Sequence, residues 1–539
     1  MSELSAFDKK ANKMKTKLLS AILLLLAVTV KAQTPVFSWA KQISGEVFIG
    51  ATTTDAAGNL YTTGTFVGTV DFDPGPGIDT VTEYGFGDMF ITKMDSSGNL
   101  LWVKHIGGTS YDEGASIATD AAGNIYVAGF FSTDSVDFDP GPGVFMMSAG
   151  ENSYVLKLDV NGDFVWAKQV TGIAENYAVS LTLDYQNNIL VTGKFNGTAD
   201  FDPNAGTNNM TSLSTDIYIW KLDNNGNFLW AKQIDALSGT QNYSIATDYT
   251  GNVFISGLLL GTTDFDPGTP VFNLTNSLIT SAAFILKLNS SGDFAWAKKI
   301  ENTDILLGNT SILADSAGNT YIGGSFSGTV DFDPNAGIQN LTAMAGNNCF
   351  LLKLDSNADF LWVKQLANVK GIAADNSGYV YTCGTSINKF SADGINQWMS
   401  GNSLSARISI DPWGDIYTSG TFTGIVDFDP GTGVYNLTDT ATGTFVQKMK
   451  QQLESGINDL VANAGNFTIY PNPNTGAFYI ESNTPGDFTL INDMGQIIQT
   501  ISVKNNKQML VTTEKLPNGL YLIFSNQTGK ISPKIIVQQ

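Results

Sequence analysis

The chain is short of reactive side chains. It has one histidine, His105, and two cysteines, Cys349 and Cys383, in 539 residues. One histidine leaves little from which to build a His-dependent triad, and no Gly-rich phosphate loop or nucleophile elbow is present. His105 falls in a slot that equivalent segments fill with Gln42, Gln169, Gln233 and Gln365, so it reads as an exposed substitution and not as a base. The cysteines stand in no metal-ligand spacing. Cys383 replaces Ala128, Ser256 and Ser419, and Cys349 replaces Ser153 and Ala283; both read as small buried residues, with a disulfide between neighbouring units as the alternative. Positive charge is the minority: 29 Lys and Arg against 50 Asp and Glu, a formal net charge of −21. An acidic surface argues against nucleic acid and anionic membrane as partners and is compatible with cations, neutral glycans or proteins. The long apolar run from Leu18 to Val30, 13 residues, is too short to span a bilayer, so no transmembrane segment is expected.

What the chain has in quantity is repetition. Tryptophan recurs at Trp39, Trp102, Trp166, Trp230, Trp296, Trp362 and Trp398, with gaps of 63, 64, 64, 66, 66 and 36 residues. An Asp-x-x-Gly turn recurs at Asp55, Asp120, Asp248, Asp315, Asp375 and Asp411, with a Gly-less version at Asp184. A lysine recurs at Lys93, Lys157, Lys221, Lys287, Lys353, Lys389 and Lys448. Periods of this size with strand-like content indicate a solenoid or a propeller. Each unit offers four short strands, a to d, separated by Gly/Asn/Asp turns; in the second unit they are expected at 116–120, 125–131, 154–159 and 164–168. The sixth unit keeps all four in about half the length, so the other six carry about 28 extra residues between b and c (64 − 36), always containing Asp-Phe-Asp-Pro. Seven such units predict an all-β, seven-bladed β-propeller. The segment Phe37–Ile43 is a strand d with no unit before it, and the last unit ends at Phe445–Lys448 without its own. We therefore expect 37–43 to pair beside 444–449 and close the ring, hiding an open strand edge.

The domain order follows. Lys9, Lys10, Lys13, Lys15 and Lys17 precede the apolar run, and Val30-Lys-Ala32 ends it with small residues, so 1–32 reads as a secretory signal peptide, with Met14 as a second candidate start. Residues 33–450 form the expected propeller and 451–465 a linker. The stretch Asp120-Ala-Ala-Gly-Asn-Ile-Tyr-Val-Ala-Gly129 resembles the bacterial β-propeller repeat SBBP, close in layout to the NHL repeat, which implies a fold and an extracellular bacterial setting without implying a reaction. Asp95-Ser-Ser-Gly-Asn-Leu-Leu-Trp102 also resembles the Asp-box of sialidase propellers, but has one residue too many between Asp and Gly, and that activity is not carried over. In 466–539, Tyr470-Pro-Asn-Pro-Asn-Thr-Gly476, Asn492-Asp-Met-Gly-Gln496, Leu516-Pro-Asn-Gly-Leu-Tyr521 and Lys534-Ile-Ile536 follow in order. This set resembles the type A C-terminal sorting domain of the type IX secretion system of Bacteroidetes. The resemblance implies a small β-sandwich, the type IX secretion machinery as partner, and a protein secreted or held on the outer cell surface.

Candidate chemistry lies in the insertions, which strand polarity sends out on one face, leaving a notch at the sixth unit. Their aspartates come in pairs: Asp71 and Asp73, Asp137 and Asp139, Asp200 and Asp202, Asp264 and Asp266, Asp331 and Asp333, Asp427 and Asp429. Asp-x-Asp puts two carboxylates on one side of an extended segment, the oxygen cluster that Ca²⁺ takes. The alternative is that they cap turns while Phe72 and its equivalents pack inward. The repeated lysines read as cross-strand partners of nearby aspartates, with an anion-binding ring as the alternative. The expected function is non-catalytic binding of an extracellular glycan or protein ligand through the insertion-bearing face. The competing readings are a glycan hydrolase or lyase with its site in the axial channel, and a structural adhesion component. A unit whose channel-lining polar residues break the repeat would favour the enzyme.

Overall fold

The computed structural model describes residues 34–451, apart from 133–134, 149, 173–174, 237–239, 278–279, 301–310, 345–347 and 402–403, and the strands between 467 and 537. The expected signal peptide, nearly all of the linker and the Pro-Asn-Pro-Asn motif lie outside the described residues. Every described element is a strand, and no described helix is long and apolar enough to cross a membrane. The described residues fall into two units, Thr34–Gln451 and one that includes the C-terminal strands.

Among the described residues of 34–451 the strands pair in antiparallel four-stranded groups, seven in all, the first and last joined through the long strand Val36–Thr54. In the second, Asp112–Thr119, Ile125–Phe131, Asn152–Leu158 and Phe164–Gln169 pair in the order a-b-c-d, close to the bounds read from sequence. The short sixth sheet is built the same way from Gly371–Ala374, Val380–Cys383, Ile387–Phe390 and Asn396–Ser400. Neighbouring sheets cover both faces of strands b and c. That is why Ile125–Phe131 and Asn152–Leu158 are buried almost throughout and read as near-continuous apolar runs, while strand d is only half-buried. The innermost strands lie side by side in chain order, and that of the last sheet, Ser405–Ile410, lies beside that of the first. Residues 36–43 pair antiparallel with 444–450, from Val36↔Lys450 to Ile43↔Thr444, so the N-terminal strand supplies strand d of the seventh sheet as expected.

Turn chemistry explains the Asp-x-x-Gly signature. Asp120 Oδ1 accepts the N–H of Ala122 (3.0 Å) and of Asn124 (2.9 Å), and Gly123 sits at φ +83°, where a Cβ is strained. In the Gly-less copy Asn187 takes that place at φ 61°, which asparagine tolerates better than most residues.

The repeated lysine and tryptophan join each sheet to the next. Lys353 Nζ (2.9 Å) and Trp362 Nε1 (3.0 Å) both donate to Ala392 O, in the c–d turn of the following sheet. Lys157 with Trp166 on Asn224 O, Lys221 with Trp230 on Ser290 O, and Lys287 with Trp296 on Ser356 O repeat the device. Each ammonium also lies over an aromatic ring, as Lys353 does over Tyr321 at 4.8 Å. Aspartate pairing occurs in some copies, as in Lys221–Asp184 at 2.8 Å. The alternative of an anion-binding ring is not favoured: Lys93, Lys157, Lys221 and Lys353 are buried and donate to carbonyls of the next sheet. The seventh unit has no c–d turn of its own, and Trp398 Nε1 is buried without a partner among the described residues while Lys389 donates to Gln451 (2.7 Å).

The C-terminal strands form two sheets. Phe467–Tyr470, Ala477–Ser482 and Met509–Thr512 make one; Ile497–Val503, Gly486–Asn492, Gly519–Ser525 and Ile535–Val537 make the other. Phe478 and Ile480 of the first share a buried cluster with Phe488, Leu490, Ile501, Val503 and Ile523 of the second.

Candidate functional site

The six Asp-Phe-Asp-Pro insertions fold as small hairpins, for example 69–71 paired with 80–82 and 262–264 with 273–275. In all six the first aspartate caps the loop. Asp71 Oδ1 accepts the N–H of Asp73 (3.1 Å) and Asp79 (2.9 Å); Asp137 Oδ1 accepts those of Asp139 and Phe145, and Asp200, Asp264, Asp331 and Asp427 do the same in their loops. The second aspartate caps the next turn: Asp73 Oδ1 accepts from Gly75 (2.7 Å), and Asp139, Asp202, Asp266, Asp333 and Asp429 accept from the residue two further on. Phe72 between them is fully buried against Phe66 and Phe90. Two carboxylates do not by themselves make a calcium cage. The described residues contain no group of three or more His, Cys, Asp or Glu placed to hold a metal ion.

The hairpins do not crowd one face, which corrects the expectation from strand polarity. They leave the sheets at that end, but their tips fold back to the opposite end of strand d. Phe145 packs on Phe164 at 4.9 Å, Phe272 on Phe294 at 4.8 Å and Tyr435 on Phe37 at 4.9 Å, each partner being at the start of a strand d. Burying the hairpin phenylalanine on the sheet beneath it pulls the loop down.

His105 is also corrected. It is only 12% exposed, and its Nε2 lies 2.6 Å from Asp88 Oδ2. Two glutamines of its slot do the same work: Gln233 donates to Asp216 Oδ2 (2.7 Å) and Gln42 to Asp439 Oδ2 (2.8 Å). The slot calls for an N–H facing a carboxylate, and imidazole supplies one. Both cysteines are buried and free; burial pushes the Cys383 thiol up to about 12.

The innermost strands enclose an axial concavity. A cavity of about 490 Å³ is lined by the innermost strands, near the end of the sheets from which the insertions leave. Its wall is largely small residues, with Glu113, Tyr177, Lys194, Lys370 and Arg407 set among them. Strand register shows how far these depart from the repeat. The position next to the strand-a bulge is Ala51, Ser116, Ser180 and Ser244 in the first four sheets, but Arg407 in the seventh. The bulge itself holds Gly50, Ala115, Val179 and Ala406. Lys370, just ahead of Gly371 in the sixth sheet, stands at the corresponding point of the wall. Arg407 is the only arginine in the chain, a signal that a residue count alone could have raised.

Local contacts hold these groups in place. Arg407 Nε donates to Gly50 O and Nη1 to Ala406 O (3.2 Å), bridging the first and seventh sheets. Burial pushes the Glu113 carboxyl above the usual carboxylate range, against the opposing influence of the Tyr111 hydroxyl and of Arg407. Tyr177 donates to Glu151, Phe130 meets its ring edge-on at 4.6 Å, and Lys194 lies over it at 5.3 Å. Lys194 and Lys370 are exposed. A smaller cavity of about 220 Å³ at the other end is lined by the capped turn aspartates Asp55, Asp120, Asp375 and Asp411.

Comparison with known proteins supports the two-part organisation. Residues 101–138 match the family described as "Beta-propeller repeat", and residues 468–538 match "Secretion system C-terminal sorting domain". An uncharacterized WD repeat-containing protein of Acanthamoeba polyphaga mimivirus is 26% identical over 352 residues, 54% of this chain and 25% of that protein. The regulatory protein FlaEY of Caulobacter vibrioides is 26% identical over 215 residues, 39% of this chain and 21% of that protein. The chain thus spans about a quarter of the length of these relatives. Among solved structures, a protein of unknown function from Bacteroides caccae aligns with TM-score 0.31 and 12% identity, covering 62% of this chain and 94% of that one. The Cps50 (Swd1) β-propeller domain of Myceliophteria thermophila aligns with TM-score 0.33 and 10% identity, covering 71% and 96%. At such scores the alignments say nothing about chemistry.

Proposed function

From the premise of a β-propeller repeat protein that a C-terminal sorting tail marks as secreted or cell-surface, we propose a seven-bladed propeller, followed by a small β-sandwich, that binds an extracellular glycan without turning it over. The observation that carries this reading is the axial cavity of about 490 Å³, whose polar wall breaks a repeat kept closely elsewhere. Clefts of this size with a few convergent polar groups are the usual form of a small-ligand site. The ligand surface is accordingly the channel, reached from the end where the insertions leave. A glycan array probed with the full chain and with Ser180→Trp, a bulky side chain on the cavity wall whose cooperative unfolding is checked alongside, tests this. Binding lost in the variant is expected; binding that survives it would send the search to the outer surface.

A second reading, catalysis, is favoured by the same break of the repeat among channel-lining residues and by Glu113, a partly buried carboxyl pushed toward its protonated form in a cavity with Arg407. Against hydrolysis, glycoside cleavage usually takes a pair of carboxylates, and Glu113 is the one acid on the described wall. Incubation with oligosaccharides and assay for new reducing ends or unsaturated products separates binding from turnover.

Calcium in the Asp-Phe-Asp-Pro loops is a separate proposal, resting on two carboxylates per loop where calcium takes roughly six to eight oxygens. Thermal unfolding with calcium and with chelator decides it. A midpoint that rises with calcium assigns metal to the loops, and no shift leaves the aspartates as caps.

A further inference from the structure

Resting on the axial reading above, we infer that the channel selects a carboxylate-bearing glycan, a uronate-type sugar, with Arg407 as the anchor of the acid group. Three cationic side chains, Arg407, Lys370 and Lys194, and one acid, Glu113, line the cavity. This balance inverts that of the whole chain, where acids outnumber bases 50 to 29. The lysines that recur through the repeat are spent on carbonyls of the next sheet, but no hydrogen bond or ion pair ties Lys370 or Lys194 to a carbonyl or carboxylate among the described contacts; Lys194 lies over the Tyr177 ring. Cations gathered in a concave wall of a negative protein focus potential on an incoming anion.

Arg407 has the geometry of an anchor. Its Nε and one Nη1 hydrogen are held by Gly50 O and Ala406 O. A guanidinium carries five N–H donors, so part of its fork remains for a planar carboxylate, already oriented before the ligand arrives. The side chains of Phe130 and Tyr177, at the same mouth, offer apolar ring surface beside these charges. A ring with an apolar face and one acid group matches that pairing; a flexible acidic peptide would use the charges and leave the aromatic surface idle.

Isothermal titration of the full chain with an oligogalacturonate, its methyl ester and an oligoglutamate tests the inference. The expected result is that the acid binds, the ester binds at least about tenfold more weakly, Lys370→Ala costs about tenfold, and added salt weakens binding. Arg407→Gln is expected to cost more; where loss of the Gly50 contact prevents folding, Lys370→Ala and Lys194→Ala carry the test, since both side chains are exposed. Equal binding of acid and ester, abolished by Ser180→Trp, would overturn the charge selection while leaving the axial site standing. Oligoglutamate binding as tightly as the sugar would overturn the glycan class. Uronate binding untouched by Ser180→Trp would overturn the axial site itself, and no binding of the uronate would overturn the inference.

Discussion

The outer and inner ends of the same sheets follow opposite rules. At the outer end, Lys353 and Trp362 converge on one carbonyl of the next sheet, and the same pair recurs around the molecule. At the inner end, equivalent positions read Ala51, Ser116, Ser180, Ser244 and then Arg407. Where a side chain joins neighbouring sheets, each joint meets the same geometry and needs the same chemistry. At the lumen the contacts to the next sheet are made by small residues, as where Ser116 and Ser180 Oγ accept backbone N–H groups from it, and a single copy departs from that set. In a repeat protein, uniformity therefore marks structure and departure marks the candidate site.

Breaking the outer rule at its most exposed point should have the largest effect. Deleting residues 34–43 removes Trp39, Ala40 and Ile43 from the core and leaves the 444–450 edge unpaired. We expect a loss above about 5 kcal/mol, seen as missing soluble protein or a collapsed unfolding transition. Lys353→Met leaves Ala392 O and the Tyr321 face without their cation and should cost about 1–3 kcal/mol, read from denaturant midpoints. Lys370→Met, exposed at the lumen, should stay within about 0.5 kcal/mol. Equal costs would erase the distinction between joint and site. Gly98→Ala places a Cβ at φ +80° and 3.0 Å from the Trp39 ring, and should cost about 1–2 kcal/mol in thermal unfolding.

The smallest effect concerns pH. Glu113 has its carboxyl raised by burial, so its favourable contribution to stability is present at low pH and is lost as pH rises through the raised value. Glu113→Gln should thus equal or exceed the parent in stability at neutral pH, by less than about 1 kcal/mol, with the advantage vanishing in acid. Anion binding should strengthen in the parent as Glu113 protonates, and that slope should be absent in the Gln variant; a slope retained there would place the titrating group elsewhere.

Much of the fold was legible because its signals are local. Asp120 and Gly123 specify a turn within four residues, the run Ile125–Phe131 specifies a buried strand, and the orphan strand 37–43 specifies its own partner at the far end. The path of the hairpins was not legible. Strand polarity fixes where a loop leaves a sheet, but burial of Phe72 and its equivalents decides where the loop then lies. His105 misled for a related reason: an unusual residue type in a glutamine slot kept the slot's hydrogen bond to a carboxylate.

By itself the sequence determined the repeat, the crossing of the N-terminal strand to the last sheet and the presence of a sorting tail, since each is written in recurring motifs and spacings. The tertiary structure alone decided that Glu113, Lys370 and Arg407, from the second, sixth and seventh sheets, line one cavity. Nothing local to any of them says so: they meet because the last sheet returns to the first and brings residues nearly 300 positions apart in the chain to a common axis.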